Sequence, residues 1–317
     1  MYDYDVFNGD ADGICALQQL RLCEPRAARL ITGPKREIAL LARVPPHEAR
    51  RVTVLDLSLA KNAEPLQALL AAGAEVIYFD HHDPGEVPQH PRLSVHLDQR
   101  PETCTSLIVD EYLQGQARAW AVVGAFGDNL ETSARCAAAP LGLADADLKR
   151  LRRLGIYLNY NGYGERVEDL HIRPAELSLR LRPYADPLVF IAEDSAFAQL
   201  EAGYREDMAR ARSVRPAYRD DRCCLLILPN EPWARRASGT LANELAQAEP
   251  DVAHAILTCL EGGYIVSVRA PLTRPYGAGE ICRRFPTGGG RAAAGGINHL
   301  PGSDYDAFLS AFRGAFL

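Results

Sequence analysis

Four short runs of acids and imidazoles stand out in the first half of the chain: Asn8-Gly9-Asp10-Ala11-Asp12-Gly13, Leu55-Asp56-Leu57, Asp80-His81-His82 and Gly127-Asp128-Asn129. Carboxylate oxygens suit hard divalent cations, and imidazole nitrogen adds affinity for manganese and similar ions. In extended backbone Asp10 and Asp12 point to opposite sides. In a tight loop, which Gly9 and Gly13 permit, they can straddle a pair of ions. Asp56 can then bridge the pair, while His81 and Asp128 complete the second ion. Two such ions, roughly 3.5–4 Å apart, activate water and neutralise phosphoryl oxygens during in-line attack.

Each run also has an ordinary explanation when taken singly. Asp-Ala-Asp-Gly is a common turn composition. Asp56 is placed to cap a helix over 57–69, and Gly-Asp-Asn reads as a turn. Their positions favour chemistry, because every run closes an apolar element.

Those elements set the architecture. Tyr4-Asp5-Val6-Phe7, Val52-Thr53-Val54-Leu55 and Glu75-Val76-Ile77-Tyr78-Phe79 are short, apolar and rich in β-branched and aromatic residues, as buried strands are. Helical patterns cover 13–23 and 60–72 between them, and 120–126 before Gly127. This is βαβ organisation, predicting a parallel sheet with helices on both faces and ligands at the carboxyl ends of its strands. From 148 to 222 the pattern turns helical and arginine-rich, with 195–213 as an amphipathic connector. A second α/β pattern follows, with strands over 223–228, 253–259 and 264–269 and helices over 238–248, 277–284 and 304–316. Between the last two helices lies a glycine loop, Thr287-Gly288-Gly289-Gly290-Arg291-Ala292-Ala293-Ala294-Gly295-Gly296. The reading is α/β in two domains with a cleft between them: 1–190 catalytic, 191–220 connector, 221–317 substrate-binding.

Composition narrows the class. The 317 residues are 47% hydrophobic and 24% charged, normal for a globular protein. No apolar run approaches the roughly 20 residues that span a bilayer, and Met1-Tyr2-Asp3-Tyr4-Asp5 lacks the basic-then-apolar pattern of a secretory leader. The expectation is a cytoplasmic protein without a membrane partner. A formal net charge of −6 speaks against a long-duplex binder, since such binding needs many phosphate contacts. Eight cysteines occur without a CxxC pair; Cys223-Cys224, in an apolar strand, read as buried free thiols.

In this order and at these intervals, the four runs resemble the motifs of the DHH phosphoesterases. That family includes RecJ-type single-strand exonucleases, nano-RNases that also cleave pAp, and cyclic-dinucleotide phosphodiesterases. The glycine run from Gly288 to Gly296 is similar to the GGGHxxAAG signature of the associated DHHA1 domain, and Ser267-Val268-Arg269 to its S-x-R element. The resemblance implies that Asp10 and Asp12 each favour a different manganese ion, that Asp56 bridges them, and that His81 and Asp128 bind the second. It implies that His82 faces the scissile phosphate and that Asp80 hydrogen-bonds an imidazole. Arg269 and Arg291, with the amides of Gly288, Gly289 and Gly290, are implied to hold a non-scissile phosphate. Two positions depart from the pattern. Asn8 stands where many members carry histidine or aspartate, which makes Asn8 a weak ligand and the first metal site weaker. Arg291 replaces the signature histidine, adding a permanent charge suited to phosphate.

Asn159-Tyr160-Asn161-Gly162-Tyr163-Gly164 reads as a turn, or as a loop able to stack a base. Asn243 is a minor candidate for contact with a base edge. The glycine run lacks the Lys-Ser/Thr ending of a nucleotide phosphate loop. The function expected is a phosphodiesterase with two divalent ions, manganese foremost and magnesium or cobalt as substitutes. Its substrates are short single-stranded RNA or DNA, a dinucleotide such as pGpG, or pAp, and it acts as a monomer or homodimer. A RecJ-like exonuclease, a degenerate nucleotide-binding protein and a pyrophosphatase are the alternatives, the last disfavoured by the glycine signature.

Overall fold

The first sheet is built from strands whose burial leaves little choice of position. In a computed structural model describing residues 1–316, β1 (Tyr2–Phe7) is buried along all but its first residue. β3 (Ala49–Leu55) and β4 (Glu75–Asp80) are mostly buried too, as parallel strands covered on both faces are. Between β1 and β3 come α1 (Ala11–Cys23) and the short β2 (Arg29–Ile31); α2 (Ala63–Ala71) separates β3 from β4. β5 (Leu93–Leu97) completes the sheet. The order is β2-β1-β3-β4-β5, and every pairing is parallel. The three predicted strands are therefore consecutive at its centre, with their carboxyl ends side by side. β2 and β5 escape sequence reading because they are short edge strands, largely exposed or half-buried.

Helices follow: α3 (Thr105–Tyr112), α4 (Arg118–Gly127), α5 (Glu131–Ala138), α6 (Asp145–Asn161), α7 (Pro174–Leu181), α8 (Pro187–Glu193) and α9 (Ser195–Ser213). Leu66 and Leu69 of α2 pack with Val6, Val54 and Tyr78 from the sheet, while α1 lies against α3 and α4. The stretch 60–72, expected as one helix, is a 3-10 turn (Leu59–Asn62) leading into α2. No helix among the described residues is long and apolar enough to cross a membrane.

The chain divides into two compact units within α9, the first ending at Gly203 and the second beginning at Tyr204. The second unit contains β6 (Tyr218–Arg219), β7 (Cys223–Leu228), α10 (Pro232–Ala248), β8 (Ala253–Leu260), β9 (Gly263–Arg269), α11 (Ala278–Cys282), β10 (Gly288–Gly290), β11 (Ala294–Pro301) and α12 (Tyr305–Ala315). Its sheet runs β10-β11-β9-β8-β7-β6, with β7 and β8 parallel and the other pairings antiparallel. Leu225, Leu257, Val268, Phe308 and Phe312 form its core. All eight cysteines are free, and Cys223 and Cys224 are buried. Two expectations change. The helix expected over 238–248 starts at Pro232, where proline's fixed φ suits the first turn. The expected glycine loop is a hairpin, β10 to β11, since antiparallel pairing supplies the hydrogen bonds that so short an apolar-poor run does not advertise.

A buried ion pair ties α1 to the sheet. Arg21 donates from Nε to Asp5 Oδ2 at 2.9 Å and from Nη2 to Thr53 Oγ1 at 3.0 Å, and Asp5 is fully buried. Arg21→Ala leaves that carboxylate without a counter-charge and is expected to lower stability by about 3–5 kcal/mol. Adding Asp5→Ala should recover part of the loss, which urea denaturation of the two variants measures.

Candidate metal centre

The acids converge because three adjacent strands and one helix end at the same edge. β1 stops at Phe7 and the chain turns through Asn8 and Gly9 into α1. Asp10 caps that helix, its Oδ1 accepting from the Asp12 and Gly13 amides at 3.1 Å. The turn is tight: a side chain on Gly13 would meet the Asn8 carbonyl at 2.3 Å, and one on Gly9 would meet the Gly33 carbonyl at 2.0 Å. Asp12, within the first turn of α1, accepts from the backbone N–H groups of Thr105 at 2.8 Å and Ser106 at 2.7 Å. Those are unpaired amides at the start of α3, where a carboxylate is favoured.

Asp56 follows β3 with φ at +58°, a left-handed conformation that aspartate tolerates better than most residues. Its amide is fixed to the Phe79 carbonyl at 3.0 Å and its Oδ1 accepts from Thr105 Oγ1 at 3.4 Å. It does not cap the helix that follows. Asp80 ends β4 and its Oδ1 lies 2.7 Å from His82 Nδ1, while its buried Oδ2 has no partner. The Asp56 Oδ1 is 3.5 Å from His81 Nε2. Asp128 stands at the end of α4, partly exposed.

Two triads bring ligand atoms within 4.8 Å of one another: Asp12, His81 and Asp128, and Asp56, His81 and His82. Both draw on His81, and a neutral imidazole has one lone pair to give. Each triad offers the donor chemistry that a divalent ion takes. Electrostatics agree. Burial, followed by the charges of Asp10 and Asp12, pushes the Asp56 carboxyl well above the usual carboxylate range. Burial and Asp12 push Asp128 up to about 6. The hydrogen bond to Asp80 raises the His82 pKa despite burial.

The first-ion set, Asn8 with Asp10 and Asp56, does not fit in the same way. Asp10 Oδ2 lies 2.6 Å from the ammonium of Lys35, a residue that sequence reading passed over. Lys35 Nζ also reaches Asn159 Oδ1 at 3.0 Å and Asp128 Oδ1 at 3.6 Å. Burial works against the Asp10 carboxylate, but the charge and hydrogen bond of Lys35 outweigh it, so its pKa falls. Burial opposes the charge on Lys35, but Asp10, Tyr163 and Asp128 raise its pKa well above normal. Thr105 and Asn159 were missed as well. Asn159 belongs to the supposed loop 159–164, whose first three residues are the end of α6 and buried.

In the second unit, Arg269 Nε donates to Asn243 Oδ1 at 2.7 Å and its Nη1 to Ser267 Oγ at 3.1 Å, so two sequence candidates are partners. Gly288, Gly289 and Gly290 pair with Ile297, Gly296 and Gly295. Arg291 follows them and is exposed.

Two α/β units, the first carrying an acid–imidazole centre at the carboxyl edge of its parallel sheet, define a class of fold that solved structures share. A RecJ exonuclease bound to manganese is 18% identical over 98% of this chain and 89% of its own, with a TM-score of 0.63. RecJ from Thermus thermophilus, in complex with Mn2+, is 18% identical with a TM-score of 0.65; it matches over 98% of this chain but 51% of its own. PggH, a pGpG-specific phosphodiesterase from Vibrio cholerae, is 14% identical over 99% of this chain and 100% of its own, with a TM-score of 0.55. No family model and no curated sequence matches. The chain thus shares the fold of these RecJ structures, as its motifs implied.

Because Asp128 must lose its proton to ligate, acid competes with metal. Divalent-metal affinity should fall as pH drops through about 6, with proton release on binding in that range. Calorimetry in buffers of differing ionisation heat reads both.

Proposed function

We propose that this protein is a metal-dependent phosphodiesterase acting on small nucleotides or short single-stranded oligonucleotides, with manganese as its working ion. The observation that carries the reading is the meeting of Asp12, Asp56, His81 and Asp128 at one edge of a parallel sheet, where two of the carboxyls resist ionisation unless a cation joins them. RecJ and PggH, which share the fold, are an exonuclease and a phosphodiesterase by description.

Asp12, His81 and Asp128, with Asp56 beside them, would hold the ion. A divalent ion there makes water more acidic and offsets charge on the phosphoryl oxygens. In hydrolysis the water oxygen bonds to phosphorus, the ester P–O bond breaks, and the departing oxygen takes a proton. His82 is anchored through Nδ1 to Asp80, which keeps its ring cationic to higher pH and leaves Nε2 as a donor toward phosphate oxygens. Arg269 and Arg291 are the candidates for a non-scissile phosphate, with the edge of β10; Asn243 acts through Arg269.

A short substrate is favoured by what the other arginines do. Arg150, Arg152, Arg153 and Arg180 pair with Asp147, Glu131, Glu201 and Asp194, which neutralises part of the basic charge this helical region could offer a long polyanion. With the net charge of −6, that sets the RecJ-like reading on long strands second.

The test is a manganese-supplemented screen of dinucleotides, pAp, cyclic dinucleotides and labelled oligomers of graded length. Activity should concentrate on the shortest substrates and vanish in Asp56→Ala. Equal rates on long strands, with steep salt dependence, would replace this substrate class with the exonuclease reading. Unchanged activity in Asp56→Ala would remove the metal centre from the chemistry.

A further inference from the structure

We infer that Lys35 occupies the place of a first metal ion, so that the centre holds a single divalent ion with a lysine ammonium fixed beside it. This rests on the metal-dependent reading above and deepens it.

The ammonium has three N–H donors and three partners: Asp10 Oδ2 at 2.6 Å, Asn159 Oδ1 at 3.0 Å and, more loosely, Asp128 Oδ1 at 3.6 Å. One Asp10 oxygen caps α1 and the other carries the lysine. Asp10 is also absent from both triads able to hold an ion. An ion between Asp10 and Asp56 would have to displace an ammonium of the same sign.

The loop after β2 is fastened beside the site through the backbone of Lys35. The Lys35 amide donates to the Gly162 carbonyl at 2.8 Å, and the Asn8 side chain donates from Nδ2 to the Lys35 carbonyl at 3.3 Å. Gly9 lacks the side chain that would strike the Gly33 carbonyl. Asn8, which stands at a ligand position in the motif, gives its Nδ2 to the lysine loop, while its buried Oδ1 has no partner. Asn159 is held in turn, its Nδ2 donating to the Tyr163 hydroxyl at 3.0 Å.

Residue choice points the same way. Of 35 basic residues only Lys35, Lys61 and Lys149 are lysines, and the other two are exposed. Where the chain otherwise uses arginine, it places at this point the compact ammonium, which resembles a small cation and not a planar fork. Lys35 is a positioning residue in this scheme: it holds Asp10 Oδ2 and supplies positive charge that does not dissociate.

The experiment is a manganese titration of the full, metal-stripped chain by calorimetry, with electron paramagnetic resonance of the loaded protein. The expected result is one ion per chain and the hyperfine sextet of an isolated manganese. Lys35→Ala should take up a second, weaker ion and show the spectrum of an exchange-coupled pair. Two tightly bound, coupled ions in the unaltered chain would overturn the lysine assignment while leaving the proposed function standing. One ion in both proteins would overturn it too, because Lys35 would then not be what excludes the second. No binding at all would sink the metal-dependent reading and this inference together. The spectrum of the unaltered chain decides the matter even where Lys35→Ala fails to fold.

Discussion

Five carboxylates crowd one edge of the first sheet, and four of them, Asp10, Asp12, Asp56 and Asp80, are at most 2% exposed. Two like charges 4 Å apart repel by roughly 4 kcal/mol at the effective dielectric of a protein surface, and more deeper in. A fold that gathers so many must answer each one. Asp10 is answered by the first amides of α1 and by Lys35, Asp12 by the first amides of α3, and Asp80 by His82. Asp56 and Asp128 are answered only at longer range, by Thr105 and Lys35, and these two have carboxyl pKa values raised by burial and by their neighbours. The deficit that the protein leaves is the place where a cation belongs.

Holding that deficit open takes rigid supports. The carboxyl ends of β1, β3 and β4 are adjacent in one parallel sheet, so the spacing of Asp10, Asp56 and Asp80 follows from strand pairing. Asp56 sits in left-handed backbone that its surroundings enforce, here through the hydrogen bond its amide donates to the Phe79 carbonyl. Strain of this sort persists where the structure around it over-determines it, and it is concentrated at sites of function. The helices α1 and α3 contribute their ends: each donates to a carboxylate the amides that a helix start leaves unpaired.

Much of this was legible in the residues. Buried central strands read as apolar β-branched runs, and their acids stand out because polar residues at such ends have to be explained. The fold class, the two units and the convergence of Asp12, Asp56, His81 and Asp128 follow from those patterns. What escaped was written in weaker signals. β2 is three residues long and half-exposed, so no periodicity marks it, and with it went the loop that delivers Lys35. Asp12's dependence on Thr105 and Ser106 is a contact across more than ninety positions, which no local pattern encodes. The glycines after Thr287 read as a loop because a paired edge strand of glycine has no side chains to declare it. A rare lysine in an arginine-rich chain was the one signal at hand for Lys35.

Asn8 and Lys35 make better sense as one arrangement than as two departures from a motif. An asparagine at a ligand position, taken alone, is a loss: a neutral amide where an imidazole or carboxylate would bind metal. Its amide nitrogen, however, holds the carbonyl of the residue whose ammonium neutralises Asp10. Histidine could not make that bond to the loop and coordinate an ion with the same nitrogen. In the proposed scheme a cation carried by the chain would replace a dissociable one, leaving positive charge beside Asp10 whether or not metal is bound. On the proposed reading, the chemistry that needs a metal, making water acidic, would stay with the triad of Asp12, His81 and Asp128. The chemistry that needs only charge passes to a side chain.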